Sequence, residues 1–146
     1  MSETNAEVKN KFSQYLENNN NRKTHERFAI LDEIYSNQTH FDAESLYVKM
    51  KKSDYRVSRA TVYNTIDVLL KCNLIKKHNF GDNMFFFEKT YGVTPHHHMI
   101  CKTCKSIIEF EGFGVREFSH QISKSKQFKI EDICLNVYGK CEKCNK

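Results

Sequence analysis

The sequence holds a single proline, Pro95, and only five glycines. It has no glycine-rich loop of the kind that cradles phosphates, and no His-Glu-x-x-His pattern to place two zinc ligands on one face of a hydrolase helix. No apolar run approaches the length of a membrane span. The opening MSETNAEVKNKF is polar and mixed in charge and lacks the apolar segment of an export signal, so the expected location is the cytoplasm. Without a route to an oxidising compartment, the six cysteines are not expected to form a disulfide framework. Basic charge is in modest excess only: a net charge of +5 is compatible with a nucleic-acid partner and does not demand one.

Over 146 residues, 39% hydrophobic content with 12% aromatics is enough for real cores, in one ordinary domain or two small ones. In the front half the apolar spacing is helical. Val8, Phe12, Tyr15 and Leu16 share a face within 6–19, and Phe28, Ile30, Leu31, Ile34 and Tyr35 form a broad face in a second helix, with Thr24 as its N-cap and Arg27 outward. Asp42 caps AESLYVKMKK, whose apolar positions include Leu46, Val48 and Met50. Ser58 caps RATVYNTIDVLLKC. There Val62, Ile66, Leu69 and Leu70 point into a core, leaving Arg59, Thr61, Tyr63 and Asn64 on the exposed first turns, where a groove-reading helix presents its side chains. LIKKHNF and MFFFEK, joined by Gly81-Asp82-Asn83, read as a β-hairpin, and helices followed by a hairpin are the order of a winged helix.

Residues 90–95, with Gly92 and Pro95, read as a hinge between a first domain, 1–89, and a second, 96–146. The second alternates HHHMIC, SIIEFE, a helix over 115–126 and the long run KIEDICLNVYGKC, in which Ile133, Leu135 and Val137 fit a period of two. Cys72 and Cys134, each alone in an apolar stretch, read as small core residues. The class is α+β: an N-terminal winged helix-turn-helix domain followed by a small α/β domain.

The other four cysteines form two Cys-x-x-Cys pairs, Cys101/Cys104 and Cys141/Cys144. Zinc takes four sulfurs in a closed tetrahedron that leaves no position for a substrate, so the expected site is structural rather than catalytic. The 36 residues between the pairs exceed the spacing of a zinc ribbon, and the metal would pin the end of the last strand onto the turn after the first. His96, His97 and His98 precede the first pair in a strand, whose alternation sends His96 and His98 one way and His97 the other. Two imidazoles on one side make a chelate, although a histidine triplet by itself reads more readily as a solvated run than as a ligand pair.

The segments His40-Phe41-Asp42-Ala43-Glu44-Ser45-Leu46-Tyr47, Ser58-Arg59-Ala60-Thr61-Val62-Tyr63 and HHHMICKTCKSIIEF, with Asn136-Val137-Tyr138-Gly139 before Cys141, resemble the signature segments of the ferric uptake regulator family and span nearly the whole chain. The resemblance implies a metal-responsive repressor that controls iron-uptake or metal-homeostasis genes. It implies a homodimer, paired through the second domain, on a double-stranded, A/T-rich palindromic operator. It also implies a regulatory metal site at the hinge, with His40, Glu88, His96, His98 and Glu109 as ligands, a nitrogen and carboxylate set that suits Fe2+, Mn2+, Zn2+ or Co2+. Glu88 lies one residue farther from the histidines than the family pattern has it. A third family site would fall on Pro95, His97, the Arg116/Glu117 pair and Ile133; proline and isoleucine cannot ligate, so no third site is expected. Glu109 stands where family members that sense peroxide carry aspartate, which argues against that chemistry.

On DNA, Arg59, Thr61, Tyr63 and Asn64 are expected in the major groove, Tyr63 on a thymine methyl and Asn64 on an adenine edge, with Arg22, Lys23, Arg27, Lys76 and Lys77 on phosphates. The family often has arginine where Asn64 stands. The alternatives are a zinc, manganese or peroxide sensor of the same family and, from another class, a zinc enzyme with His96 and His98 on the metal and Glu88 or Glu109 as base. Catalysis is not expected, because no catalytic motif accompanies those residues.

Overall fold

The computed structural model describes residues 3–37, 40–53, 55–112 and 114–146, in two compact units, Met1–Val93 and Thr94–Lys146. The first unit runs α1 (Glu3–Asn18), α2 (His25–Asn37), β1 (His40–Phe41), α3 (Ala43–Lys52), α4 (Arg59–Lys71), β2 (Ile75–Asn79) and β3 (Phe85–Lys89). Its core is a helical one: Val8, Phe12 and Leu16, spaced four apart on α1, are at most 1% exposed and join Ile30, Leu31 and Ile34 of α2. From α4 come Val62, Ile66 and Leu69, and also Thr65 and Val68, so the buried face of this helix is wider than its apolar pattern suggests.

Side chains cap the starts of three helices. Asp42 Oδ1 accepts from the Ser45 backbone N–H at 2.9 Å, Ser58 Oγ from that of Thr61 at 3.0 Å, and Thr24 Oγ1 from that of Arg27 at 3.4 Å. In α3 the buried residues are Leu46 and Met50, one turn apart, and the apolar Val48 between them is 42% exposed. Two residues past Leu46 lies about 200° round a helix, which takes Val48 off the core stripe.

The hairpin of β2 and β3 pairs antiparallel from Ile75↔Lys89 to Asn79↔Phe85. Its turn carries three successive positive φ values, 84° at Gly81, 49° at Asp82 and 59° at Asn83, the conformation for which glycine, aspartate and asparagine are tolerated. β1 adds a third strand on the other side of β3, with His40 opposite Glu88. Sequence periodicity missed β1, since two residues cannot display a period.

The second unit has β4 (His97–Cys101), β5 (Ile107–Phe110), α5 (Val115–Lys126), β6 (Asn136–Gly139) and a closing 3-10 turn, Glu142–Cys144. The sheet order is β5-β4-β6, with β5 antiparallel and β6 parallel to β4. Of the long final run only β6 is strand. Ile133 and Leu135 precede it, each 37% exposed, and Cys134 between them is exposed too, its Sγ 3.7 Å from Asn136 Oδ1. That corrects the reading of Cys134 as a core residue, whereas Cys72 is 5% exposed within the first unit's core. Helix α5 buries no residue, and the buried residues among those described in this unit are His98, Ile100 and Cys101. No helix among the described residues is long and apolar enough to cross a membrane.

Leu16→Ala, which empties a fully buried site, is expected to cost about 2–5 kcal/mol. Val48→Ala should stay within roughly 0.5 kcal/mol. Urea denaturation followed by far-ultraviolet circular dichroism measures both, and equal losses would contradict the assignment of the α3 core face.

Candidate metal centres and nucleic-acid surface

β4 ends at Cys101 in a tight turn. The Cys101 N–H donates to Ser106 O at 3.0 Å, the Lys105 N–H to Cys101 O at 2.9 Å, and Lys105 takes φ 63°. Parallel pairing brings Gly139 opposite Cys101, so the chain leaving β6 passes the same turn, and the Cys141 N–H donates to Cys101 Sγ at 3.3 Å. The 3-10 turn then folds Cys144 back, its N–H on Cys141 O at 3.0 Å. One Sγ from each of Cys101, Cys104, Cys141 and Cys144 lies within 4.8 Å of the others, and Cys104 and Cys141 Sγ are 3.7 Å apart.

That distance excludes a disulfide, and none forms in the structure. It is close to the ~3.8 Å edge of a tetrahedron with zinc–sulfur bonds of about 2.3 Å. The thiols are already differentiated. Backbone N–H donors, first that of Cys104 and then that of Cys141, pull the Cys101 thiol down to about 5. The Ser106 hydroxyl is the first cause of a lowered Cys104. Cys144, sharing its proton with Cys141 and then Cys104, is pushed up to about 12. Four soft donors in a closed arrangement fit a structural zinc ion, which would bind as the remaining thiol protons leave.

A second kind of donor is found in each unit. In the first, β1 and β3 bring His40 Nε2 to 3.5 Å from Glu88 Oε2, with Glu88 2% exposed. His78 on β2 donates from Nε2 to the same Glu88 oxygen at 2.7 Å, and Lys76 Nζ stands 3.8 Å from it. Sequence reasoning did not find His78. The available signal was its place on the first hairpin strand, diagonal to Glu88 and on the same face. In the second unit the rings of His96 and His98 meet edge to face at 4.9 Å, and His96 Nε2 is 3.9 Å from Glu109 Oε1. His98 lies opposite Glu109 in the β4–β5 pairing. His97 turns to the other side, against Phe110 at 5.7 Å. A Cβ on Gly112 would come within 2.4 Å of the His97 ring, so only glycine leaves it that place.

On α4, Tyr63 is 48% exposed and Arg59 and Asn64 are exposed, with Thr61 half-buried. A polar cleft lined by Asn20, Asn21, Arg22 and Arg27 continues onto Thr61 and Asn64 of α4. Arg22 and Arg27 thus border the helix they were expected to assist. Arg59 is engaged within its own unit: Nη2 meets Glu44 Oε1 at 2.8 Å and the guanidinium lies 4.9 Å from the Tyr47 ring centroid. Lys23 pairs with Glu17, and Lys77 lies over the Phe85 ring at 4.1 Å.

The profile of the Ferric uptake regulator family matches residues 18–138. The chain belongs to the ferric uptake regulator family. The ferric uptake regulation protein of Campylobacter jejuni is 34% identical over 92% of this chain and 87% of its own length. The peroxide operon regulator of Bacillus subtilis is 30% identical over 86% of this chain and 85% of its own. The solved structure of the Helicobacter pylori ferric uptake regulator superposes with a TM-score of 0.87 over 99% of this chain and 95% of that one, at 22% identity, which shows the shared fold. Like its relatives in this family, the chain is a metal-responsive transcriptional regulator and not an enzyme.

In metal-free protein near neutral pH, Cys104, exposed and with its thiol lowered, should be alkylated faster than Cys144, whose thiol is raised. One equivalent of zinc should protect both. Mass spectrometry of iodoacetamide-treated protein reads the order, and alkylation of Cys104 undiminished by zinc would refute the four-thiolate site.

Proposed function

We propose that this chain is a metal-activated repressor of iron-uptake or metal-homeostasis genes, with zinc in the cysteine cluster and Fe2+ as the regulatory ion; Zn2+ and Mn2+ are the other ions the donors accept. The observation that carries the reading is the division of hard and borderline donors: His40 and Glu88 in one unit, His96, His98 and Glu109 in the other. Two donors and three donors each fall short of a shell of roughly four to six ligands. One ion that takes ligands from both sets binds only arrangements in which the sets meet, and therefore shifts the population toward them. A hundredfold metal preference for that form supplies about 2.7 kcal/mol of bias, enough to switch operator binding.

The remaining parts follow. The domains are 1–89, a hinge at 90–95 and 96–146. A homodimer forms through the second, supported by the apolar side chains it leaves in water, among them Ile108 at 46%, Phe118 at 63%, Phe128 at 64% and Val137 at 43% exposure. Two copies of α4 then read an A/T-rich palindrome in double-stranded DNA in the cytoplasm, with Tyr63, Thr61 and Asn64 toward the bases. Arg59 joins them only by giving up Glu44. Glu109, in place of aspartate, favours metal sensing over peroxide sensing.

Fluorescence anisotropy on A/T-rich palindromic promoter DNA tests this with zinc-loaded protein, with and without Fe2+ under anaerobic conditions or Mn2+ in air. Operator affinity should rise at least about tenfold with metal, and an unchanged affinity refutes metal activation. Tyr63→Ala should weaken binding by about 1–3 kcal/mol with zinc content and dimer mass unaltered; wild-type affinity would remove Tyr63 from the interface.

A further inference from the structure

Glu88 sits on β3, the middle strand of its sheet, so side chains from both neighbouring strands reach its carboxylate. From β1 comes His40, and from β2 come Lys76, its register partner, and His78. The shortest of these contacts is the 2.7 Å hydrogen bond from His78 Nε2 to Oε2. The ring that makes it is itself held. It stacks on Phe80 at 5.3 Å between centroids and 9° between planes, and Phe80 is 3% exposed and tied by its N–H to Met84 O across the hairpin turn. His78 is 9% exposed, so both partners of the bond are shielded from water.

A carboxylate is flat, and an N–H fixed on one oxygen sets the plane of the whole group. The lone pairs left over then point in set directions, which removes the rotation that a cation would otherwise have to arrest. The charge-assisted bond also keeps the acid from turning toward its lysine neighbour. The geometry points to His78 as a positioning residue for the regulatory ion: it orients Glu88 toward the metal without binding the metal itself. This rests on the reading of His40 and Glu88 as regulatory ligands. It adds to that reading a hairpin residue outside the ligand set, and it makes the stacking on Phe80 part of the metal site's construction.

The test uses full-length, zinc-loaded protein titrated with Co2+, with the visible d–d bands reporting the ligand shell and elemental analysis confirming that zinc is retained. His78→Ala should weaken Co2+ binding by about 10–100-fold and leave the spectrum at saturation unchanged. His78→Gln, whose amide N–H can reach the same oxygen, should recover most of the affinity. If His78→Ala loses its circular dichroism signature, His78→Leu, which keeps bulk against Phe80 but no donor, takes its place under the same criteria. Wild-type affinity in the donor-less variant overturns the proposal, and so does an altered saturated spectrum that glutamine does not restore, which would make His78 a ligand. Failure of the underlying reading shows elsewhere, in wild-type protein that takes up no Co2+ beyond its zinc site or in His40→Ala with undiminished affinity.

Discussion

The second unit depends on the parallel pairing of β4 with β6 and on the four sulfurs that this pairing assembles. Among its described residues only His98, Ile100 and Cys101 are buried, and α5 contributes none. So small an interior cannot offset the ordering of the chain by hydrophobic burial alone. Units of this size are usually stapled, and here the staple is a cluster that draws the end of β6 onto the turn after β4. Metal binding at such a cluster is folding energy, since the unfolded chain has no preformed site. The same shortage of interior explains why the unit's apolar side chains lie outward, a face that a second copy of the chain would cover.

The first unit solves a different problem. Its core is mostly helical, with Phe41, Ile75 and Phe87 of the sheet packed into it, and the same sheet carries His40, His78 and Glu88. His40 is two residues before Asp42, the N-cap of α3, so the strand that presents this imidazole leads directly into α3. Glu44 in the first turn of α3 holds Arg59 in the first turn of α4. A displacement of β1 therefore has a short covalent and ionic route to α4. Exposed ion pairs contribute little to stability, so the Glu44–Arg59 pair matters for orientation more than for folding.

Much of this was legible in the sequence because each feature has a local signature. The caps at Asp42 and Ser58, the Gly81-Asp82-Asn83 turn and the paired cysteines declare themselves within four residues. What was not legible depended on partners far along the chain. β1 exists because β3 offers it an edge, Cys134 is outside because β6 begins only at Asn136, and His78 matters because of an acid ten residues later on another strand.

The two donor sets differ in kind, and the difference sets what each can do. Thiolates enclose a soft ion tightly, and backbone N–H donors already pull the Cys101 thiol down while the neighbouring sulfurs push that of Cys144 up. Imidazoles and carboxylates bind borderline ions less tightly and exchange them more readily. A sensor needs both behaviours at once: an ion that never leaves, so that the second unit stays folded, and one whose occupancy follows its supply. Sulfur donors and nitrogen and oxygen donors are segregated along the chain, the four cysteines in one cluster and His40, Glu88, His96 and His98 outside it. In the proposed regulatory site, selectivity would lie in how firmly the carboxylates are oriented, because the donor atoms themselves distinguish iron, manganese and zinc only weakly.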